Sequence, residues 1–212
     1  MKIAIVGAGN VGGALGANWA KKGHDIVFGV RDPKAEKTQA LLKTIGGRAT
    51  AATAAEAAAS AEIIVLSTPW PATETAIRSM GNLNGKVILD ATNPLTRGPD
   101  GIALEIGHAI SGGEKVKGWA AGASVFKTLN TTGFGNMANP EFKSVKSVMF
   151  VAGDDAANKP KVMKLVGDLG FDVIDAGPLR NARLLEAHAM LWIDLAMVRG
   201  QGRDFAFGIL RR

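Results

Sequence analysis

Lys2-Ile3-Ala4-Ile5-Val6-Gly7-Ala8-Gly9-Asn10-Val11-Gly12 stands at the head of the chain as a short apolar strand, a glycine-rich turn and the start of a helix. A GxGxxG string is a weak signal alone, but a strand before it and a helix after it are the context of a dinucleotide-binding turn. Gly7 permits the tight turn, Gly9 lets the backbone approach a pyrophosphate, and Gly12 allows the helix to pack closely on the strand. Asn10 and Val11 then head a helix whose free N–H groups and dipole favour an anion. The bland alternative is a glycine-rich turn with no ligand.

Outward from that turn the chain alternates β-rich runs with helical ones, the pattern of a parallel sheet covered on both faces. Strands are predicted at 2–6, 25–28, 63–67, 87–91, 125–129, 148–152 and 172–175. Several are continuously apolar, as in Ile63-Ile64-Val65-Leu66, which suits a strand buried on both faces. Helices are predicted at 10–22, 33–45, 54–60, 71–80, 156–169 and from 180 to about 198. The alanine-rich segment 49–61 reads as a tightly packed helix and not a linker. The expected fold is α/β, a Rossmann-type doubly wound and mainly parallel sheet with a small C-terminal α/β extension. The natural division is 1–124, a nucleotide-binding part, and 125–212, an extension packed on it. A second glycine string, residues 81–86, is one residue short of a P-loop and runs into Val87, so it is rejected.

Composition narrows the chemistry. The 212 residues include no Cys, which removes disulfides, thiolate nucleophiles and Cys-ligated zinc, and no Tyr, which removes a tyrosine proton relay. His24, His108 and His188 are far apart in sequence, so no metal site is expected. With 47% hydrophobic residues the chain can build a full core. No apolar run approaches the roughly 18 residues needed to span a bilayer, and the opening strand is too short for a signal peptide. A soluble, cytoplasmic protein without membrane partners is expected. The net charge of +6 is scattered along the chain and not interleaved with aromatics, so it reads as a solvated surface, not a nucleic-acid patch. An anionic small ligand would be served by the same charge.

The end of the second strand decides which dinucleotide is preferred, because NAD-binding proteins place a carboxylate there for the ribose. Here Val27-Phe28-Gly29-Val30-Arg31-Asp32-Pro33-Lys34 has Gly29 at the tip, with Arg31 and Lys34 within reach of a 2′-phosphate. Asp32, before Pro33, is expected to cap the next helix. Otherwise Arg31 is only a surface charge. For the nicotinamide half, the candidates lie just past the other strands: Thr68-Pro69-Trp70, Asn93-Pro94-Leu95 and Asn130-Thr131-Thr132-Gly133. Each is also an ordinary loop composition, and Trp70 can equally be a hydrophobic plug. No convincing general acid is found, Lys127 being the only lysine near these strand ends, and no catalytic side chain is assigned. Hydride transfer between two planar rings needs little acid–base help.

The 7–12 turn, Gly29-Val30-Arg31, Asp90-Ala91-Thr92-Asn93-Pro94 and the run from Asp175 to Glu186, preceded by residues 148–155, together resemble the NADPH:coenzyme F-420 oxidoreductase family over nearly the whole chain. The same module is similar to the cytosolic NADPH-binding domain of the six-transmembrane metalloreductases. The resemblance implies hydride transfer between NADPH and a stacked deazaflavin, coenzyme F-420, or a flavin (FMN or FAD). It implies a 2′-phosphate held by a Ser/Thr-Arg pair, of which Arg31 is present while Val30 replaces the hydroxyl residue. It places the acceptor between 93–95, 130–137 and the start of the last helix. A non-catalytic NADP-binding or redox-sensing module remains as an alternative. A β-hydroxyacid or imine dehydrogenase is disfavoured, since only about 60 residues follow Phe150 where those enzymes carry a long helical domain. The apolar stretch 184–197 suggests a homodimer through the last helix.

Overall fold

A computed structural model describes residues 1–99, 101–143, 145–210 and 212. The chain folds as β1 (Lys2–Val6), α1 (Asn10–Lys21), β2 (Asp25–Gly29), α2 (Glu36–Ile45), β3 (Ala49–Ala52), α3 (Ala54–Ser60), β4 (Ile63–Leu66), α4 (Trp70–Arg78) and β5 (Val87–Asp90). A hairpin of β6 (Leu95–Gly98) and β7 (Gly101–Leu104) follows, then α5 (Gly112–Trp119), β8 (Ser124–Lys127), α6 (Phe134–Ala138) and a small hairpin, β9 (Glu141–Phe142) with β10 (Val145–Lys146). The chain continues with β11 (Val148–Gly153), α7 (Lys159–Gly167), β12 (Asp172–Asp175), a 3₁₀ turn at Leu179–Asn181 and α8 (Ala182–Ile193), which ends in a π-helical turn, Asp194–Val198.

Eight strands form one sheet in the order β12-β11-β8-β5-β4-β1-β2-β3. All neighbours are parallel except β8 and β11. The continuous apolar runs are explained by burial on two sides: Ile3 and Ile5 join one core with Leu15, Trp19 and Val162, while Ala4 and Val6 join the other with Ala57, Ile77 and Val116. Helices α1, α2, α6 and α7 thus cover one face and α3, α4 and α5 the other. This is the expected Rossmann-type α/β architecture, with two small hairpins added.

Three local readings are corrected. Residues 49–52 form the edge strand β3 instead of the first turn of a helix, because Thr53 and Glu56 make a reciprocal capping box that starts α3 at Ala54. Helix α2 begins at Glu36, so Asp32 does not cap it; Asp32 Oδ1 instead accepts from Lys34 N–H at 2.9 Å and turns the loop. The segment between β5 and β8, for which no element was predicted, contains the 95–104 hairpin and α5. Residues 124–127 form β8 in the middle of the large sheet.

Candidate functional site

Strand order reverses between β1 and β4, which opens a crevice at their carboxyl ends. The 7–12 turn lies there. Gly7 has φ +109°, donates its N–H to Gly29 O at 3.2 Å, and has no room for a side chain, since a Cβ would lie 2.8 Å from Ser67 O. A Cβ on Gly12 would collide with the Gly7 carbonyl and lie 2.7 Å from Ser67 Oγ. Gly12 therefore serves the closeness of the turn itself; the helix-to-sheet approach expected of it is made one turn later by Gly16, where a Cβ would meet Phe28 at 2.5 Å. Ser67 Oγ donates to Gly7 O at 2.9 Å, bolting the turn to the end of β4.

Gly9 faces open space and is the N-cap of α1, with no side-chain cap and no acidic residue in the first turn. The leading N–H groups at Asn10, Val11 and Gly12 are thus left for an outside acceptor. Such orphan donors and the helix dipole suit a pyrophosphate.

At the tip of β2, a Cβ on Gly29 would press on Ala54, Val6 and Ala57 at 3.2–3.3 Å. A side chain there would need these neighbours to give by a few tenths of an ångström. Beyond it Val30 is half-buried against the core and tied to β3 through Ala52 O at 3.0 Å. Arg31 and Lys34 project exposed, and neither forms an ion pair among the described residues. Other exposed cations do reach acids, as Arg48 does with Asp25 and Arg78 with Glu74. Arg31 follows two residues after Gly29, whose carbonyl meets the Gly7 N–H, so the strand tip that carries it borders the turn.

The nicotinamide-side candidates separate into two groups. Thr68, half-buried, exchanges a hydroxyl hydrogen bond with Thr73 at 2.9 Å, and Pro69 caps α4. Trp70 is turned into the core, 8% exposed, its ring 5.4 Å from that of Trp119 and against Gly112, so it is the hydrophobic plug. Asn93 and Asn130 form a reciprocal pair: Asn93 Nδ2 donates to Asn130 O and Asn130 Nδ2 donates to Asn93 Oδ1, both at 3.0 Å. Asn130 Nδ2 also donates to Leu185 O of α8 at 3.2 Å, while its buried Oδ1 has no partner among the described residues. Pro94 is buried beside this pair. Leu129, just before Asn130, is fully buried at φ +61°, a strained conformation for leucine that the pair and the core hold in place. The 131–137 segment lies against α8, with a Cβ on Gly133 meeting Trp192 at 2.5 Å. The acceptor region implied by the resemblance, 93–95 with 130–137 and the start of α8, is therefore contiguous in space.

Lys127 is not exposed to the strand ends. It is fully buried between Asp90 and Glu186 at 3.0 and 2.9 Å. Burial opposes its charge, but the two carboxylates outweigh that and hold its pKa above the ordinary lysine value. The partners of Glu186, which closes the 175–186 run, and helix α5, which brings Gly112 and Gly113 up to it, were not foreseen from the sequence. The signal was present in Ser111-Gly112-Gly113-Glu114, which forms a capping box in the structure. The C-terminal tail was also missed: Phe205 O accepts from Trp192 Nε1 and Asn136 Nδ2, and Val148 N–H donates to Phe207 O, closing the tail over α6 and α8.

Two surface hollows, one lined by Ile77, Leu83 and Trp119 and the other by Lys117, Ser124 and Asp155, lie near the amino ends of β5 and β8, away from this crevice. The candidate site is instead the crevice expected at the carboxyl ends of β1 and β4, where the strand order reverses. Among the described residues no group of acids and histidines is arranged for a metal ion, and no helix is long and apolar enough to cross a membrane.

A doubly wound sheet with its glycine turn at the switch point defines a Rossmann-type nucleotide-binding protein. The family model described as NADP oxidoreductase, coenzyme F420-dependent, matches residues 2–94. A solved structure from Arthrobacter sp. FB24, provisionally described as an F420-dependent NADP reductase, is 33% identical and superposes with a TM-score of 0.91 over 100% of both chains. The F420-dependent NADP reductase of Methanothermobacter thermautotrophicus is 28% identical over 210 residues, covering 92% of this chain and 89% of that one. More distantly, the metalloreductase STEAP3 of Rattus norvegicus is 25% identical over 187 residues, 88% of this chain but 36% of its own length. The chain belongs to the F420-dependent NADP oxidoreductase family.

Proposed function

We propose that the protein transfers a hydride between NADPH and a deazaflavin (coenzyme F420) or flavin ring stacked on the nicotinamide. The observation that carries the reading is the uncapped amino end of α1, set behind the Gly7–Gly12 turn and flanked by the unpaired Arg31. Gly7, Gly9, Asn10, Val11 and Gly12 would hold the pyrophosphate, and Arg31 with Lys34 the 2′-phosphate, Val30 setting the strand tip. Thr68, Pro69, Asn93, Pro94 and Asn130 would border the nicotinamide half.

NADPH, when bound, supplies the hydride, and the work left to the protein is placement and exclusion of water. That division agrees with a nicotinamide side where Lys127 is held in an ion triad and Asn93 and Asn130 hydrogen-bond each other. The exposed Leu184, Leu191, Met197 and Val198 along α8 and its π-helical turn favour association of two copies through that helix. Anaerobic mixing with NADPH and, in turn, deazaflavin, FMN and FAD tests the reading. Oxidation of NADPH with matching reduction of one acceptor supports it; tight NADPH binding with no acceptor reduced would instead make the protein a binding or sensing module.

A further inference from the structure

Beneath the β5–β8 strand ends lies a network that the fold alone does not require. Lys127 Nζ contacts Asp90 Oδ2 at 3.0 Å and Glu186 Oε1 at 2.9 Å and donates to Thr92 O at 2.6 Å, with all three charged side chains at most 1% exposed. Asp90 Oδ1 accepts from Thr92 N–H at 2.9 Å and from its hydroxyl at 2.6 Å. Glu186, brought in by α8, accepts from Gly112 N–H and Gly113 N–H at 2.9 and 3.0 Å, so one carboxylate pairs with Lys127 and also caps α5. Both glycines suit this close approach: a Cβ on Gly112 would lie 3.1 Å from Glu186 Oε1, and one on Gly113 3.1 Å from Ala182 Cβ, tight contacts in which the neighbours would have to give.

Burying an ammonium with two carboxylates carries a desolvation cost that a well-packed apolar cluster of the same volume would avoid. The return is geometric. Thr92 is held by its N–H, its hydroxyl and its carbonyl at once, all from the Asp90–Lys127 pair. The next residue, Asn93, is fixed from the other side by its double hydrogen bond with Asn130. The backbone that carries Asn93, Pro94 and Leu95 to the mouth of the crevice thus has no freedom at its root.

We infer that Lys127 is a positioning residue: through Thr92 O, and braced by Asp90 and Glu186, it sets the 92–95 segment against which the nicotinamide of bound NADPH lies. This rests on the placement of NADPH across the strand ends and is independent of the acceptor. The Gly7–Gly12 turn and Arg31 are untouched by the network, so affinity and ring placement should come apart when it is broken.

The test uses the full-length protein with Lys127→Met and, because that change leaves two buried carboxylates, Glu186→Gln as a milder variant that keeps Lys127 paired with Asp90. NADPH is titrated and the fluorescence of the bound nicotinamide recorded, alongside kcat and KM with whichever acceptor the wild type reduces. The expected result is an NADPH Kd within about threefold of wild type, bound-NADPH emission moved toward that of the free cofactor, and kcat lowered about tenfold or more in Lys127→Met and less in Glu186→Gln. Wild-type emission and kcat in a folded variant, even one with a lowered Tm, would overturn the inference and leave the triad as packing. Free-like emission from NADPH bound to the wild type would overturn the placement beneath it. Because emission needs no acceptor, failure of the deazaflavin reading and failure of this one register separately.

Discussion

Arg31→Ala is the sharpest perturbation of the cofactor site. Arg31 is exposed and pairs with no carboxylate among the described residues, so its removal leaves no buried group unsatisfied and should leave Tm nearly unchanged. A charge-assisted hydrogen bond contributes about 1.5–3 kcal/mol, which corresponds to a ten- to hundredfold change in affinity. The lower end applies here, since Arg31 lies in solvent where its field is screened. NADPH Kd should therefore rise about tenfold, while NADH, lacking the 2′-phosphate, should bind as before. Titration of both cofactors by protein fluorescence or calorimetry measures the two effects, and the wild-type NADPH affinity should weaken with added salt more steeply than that for NADH. Equal losses for the two cofactors, or none for either, would refute the assignment of Arg31 to the 2′-phosphate.

The clasp between α5 and α8 yields a pH prediction. Arg183 donates to Glu114 from Nη2 and Nε at 2.6 and 2.9 Å, and with the Ser111 cap this lowers the Glu114 pKa to about 2. A carboxylate depressed in the folded state contributes stability above its ordinary pKa of 4.5 and loses it as pH falls toward 2. Glu114→Gln should thus cost about 1 kcal/mol at neutral pH, and the difference from wild type should shrink across that acid window in urea melts. Gly112→Ala should destabilise by about 1–3 kcal/mol through contact with Trp70 and Glu186, read as a drop in Tm of several degrees; an unchanged Tm would mean α5 can move away. Sedimentation at micromolar concentration should give twice the chain mass of 22.0 kDa, and Leu184→Arg with Leu191→Arg should return it to the monomer. A wild-type monomer would remove the α8 interface.

Much of the sheet was legible because its strands are buried on both faces and so read as uninterrupted apolar runs, Ile63–Leu66 the clearest. The glycine turn was legible because only glycine satisfies the contacts found at Gly7 and Gly12. Strand β3 was not, since Ala49–Ala52 is strand only by pairing with β2, a long-range contact that overrides the helix preference of alanine. In the candidate site, Arg31 stands out in sequence because it follows the strand tip where an acid would otherwise be, whereas Trp70 was ambiguous until the fold placed Trp119 and Gly112 beside it. The partnership of Lys127 with Glu186 joins positions that share no local pattern, and only the docking of α8 brings them together. Asp32, too, was assigned a cap on local composition, while the helix begins four residues later and the acid serves the turn instead.

Direct transfer is the claim on which the functional reading turns, and NADPH deuterated on the transferring face of its nicotinamide carbon addresses it. Mixed anaerobically with the protein and the acceptor in water, the labelled cofactor should deliver its deuterium to the reduced ring carbon of the deazaflavin, with a primary isotope effect on the single-turnover rate. Retention of the label on NADPH, with every deazaflavin and flavin left oxidised, would contradict ring-to-ring hydride transfer by this protein.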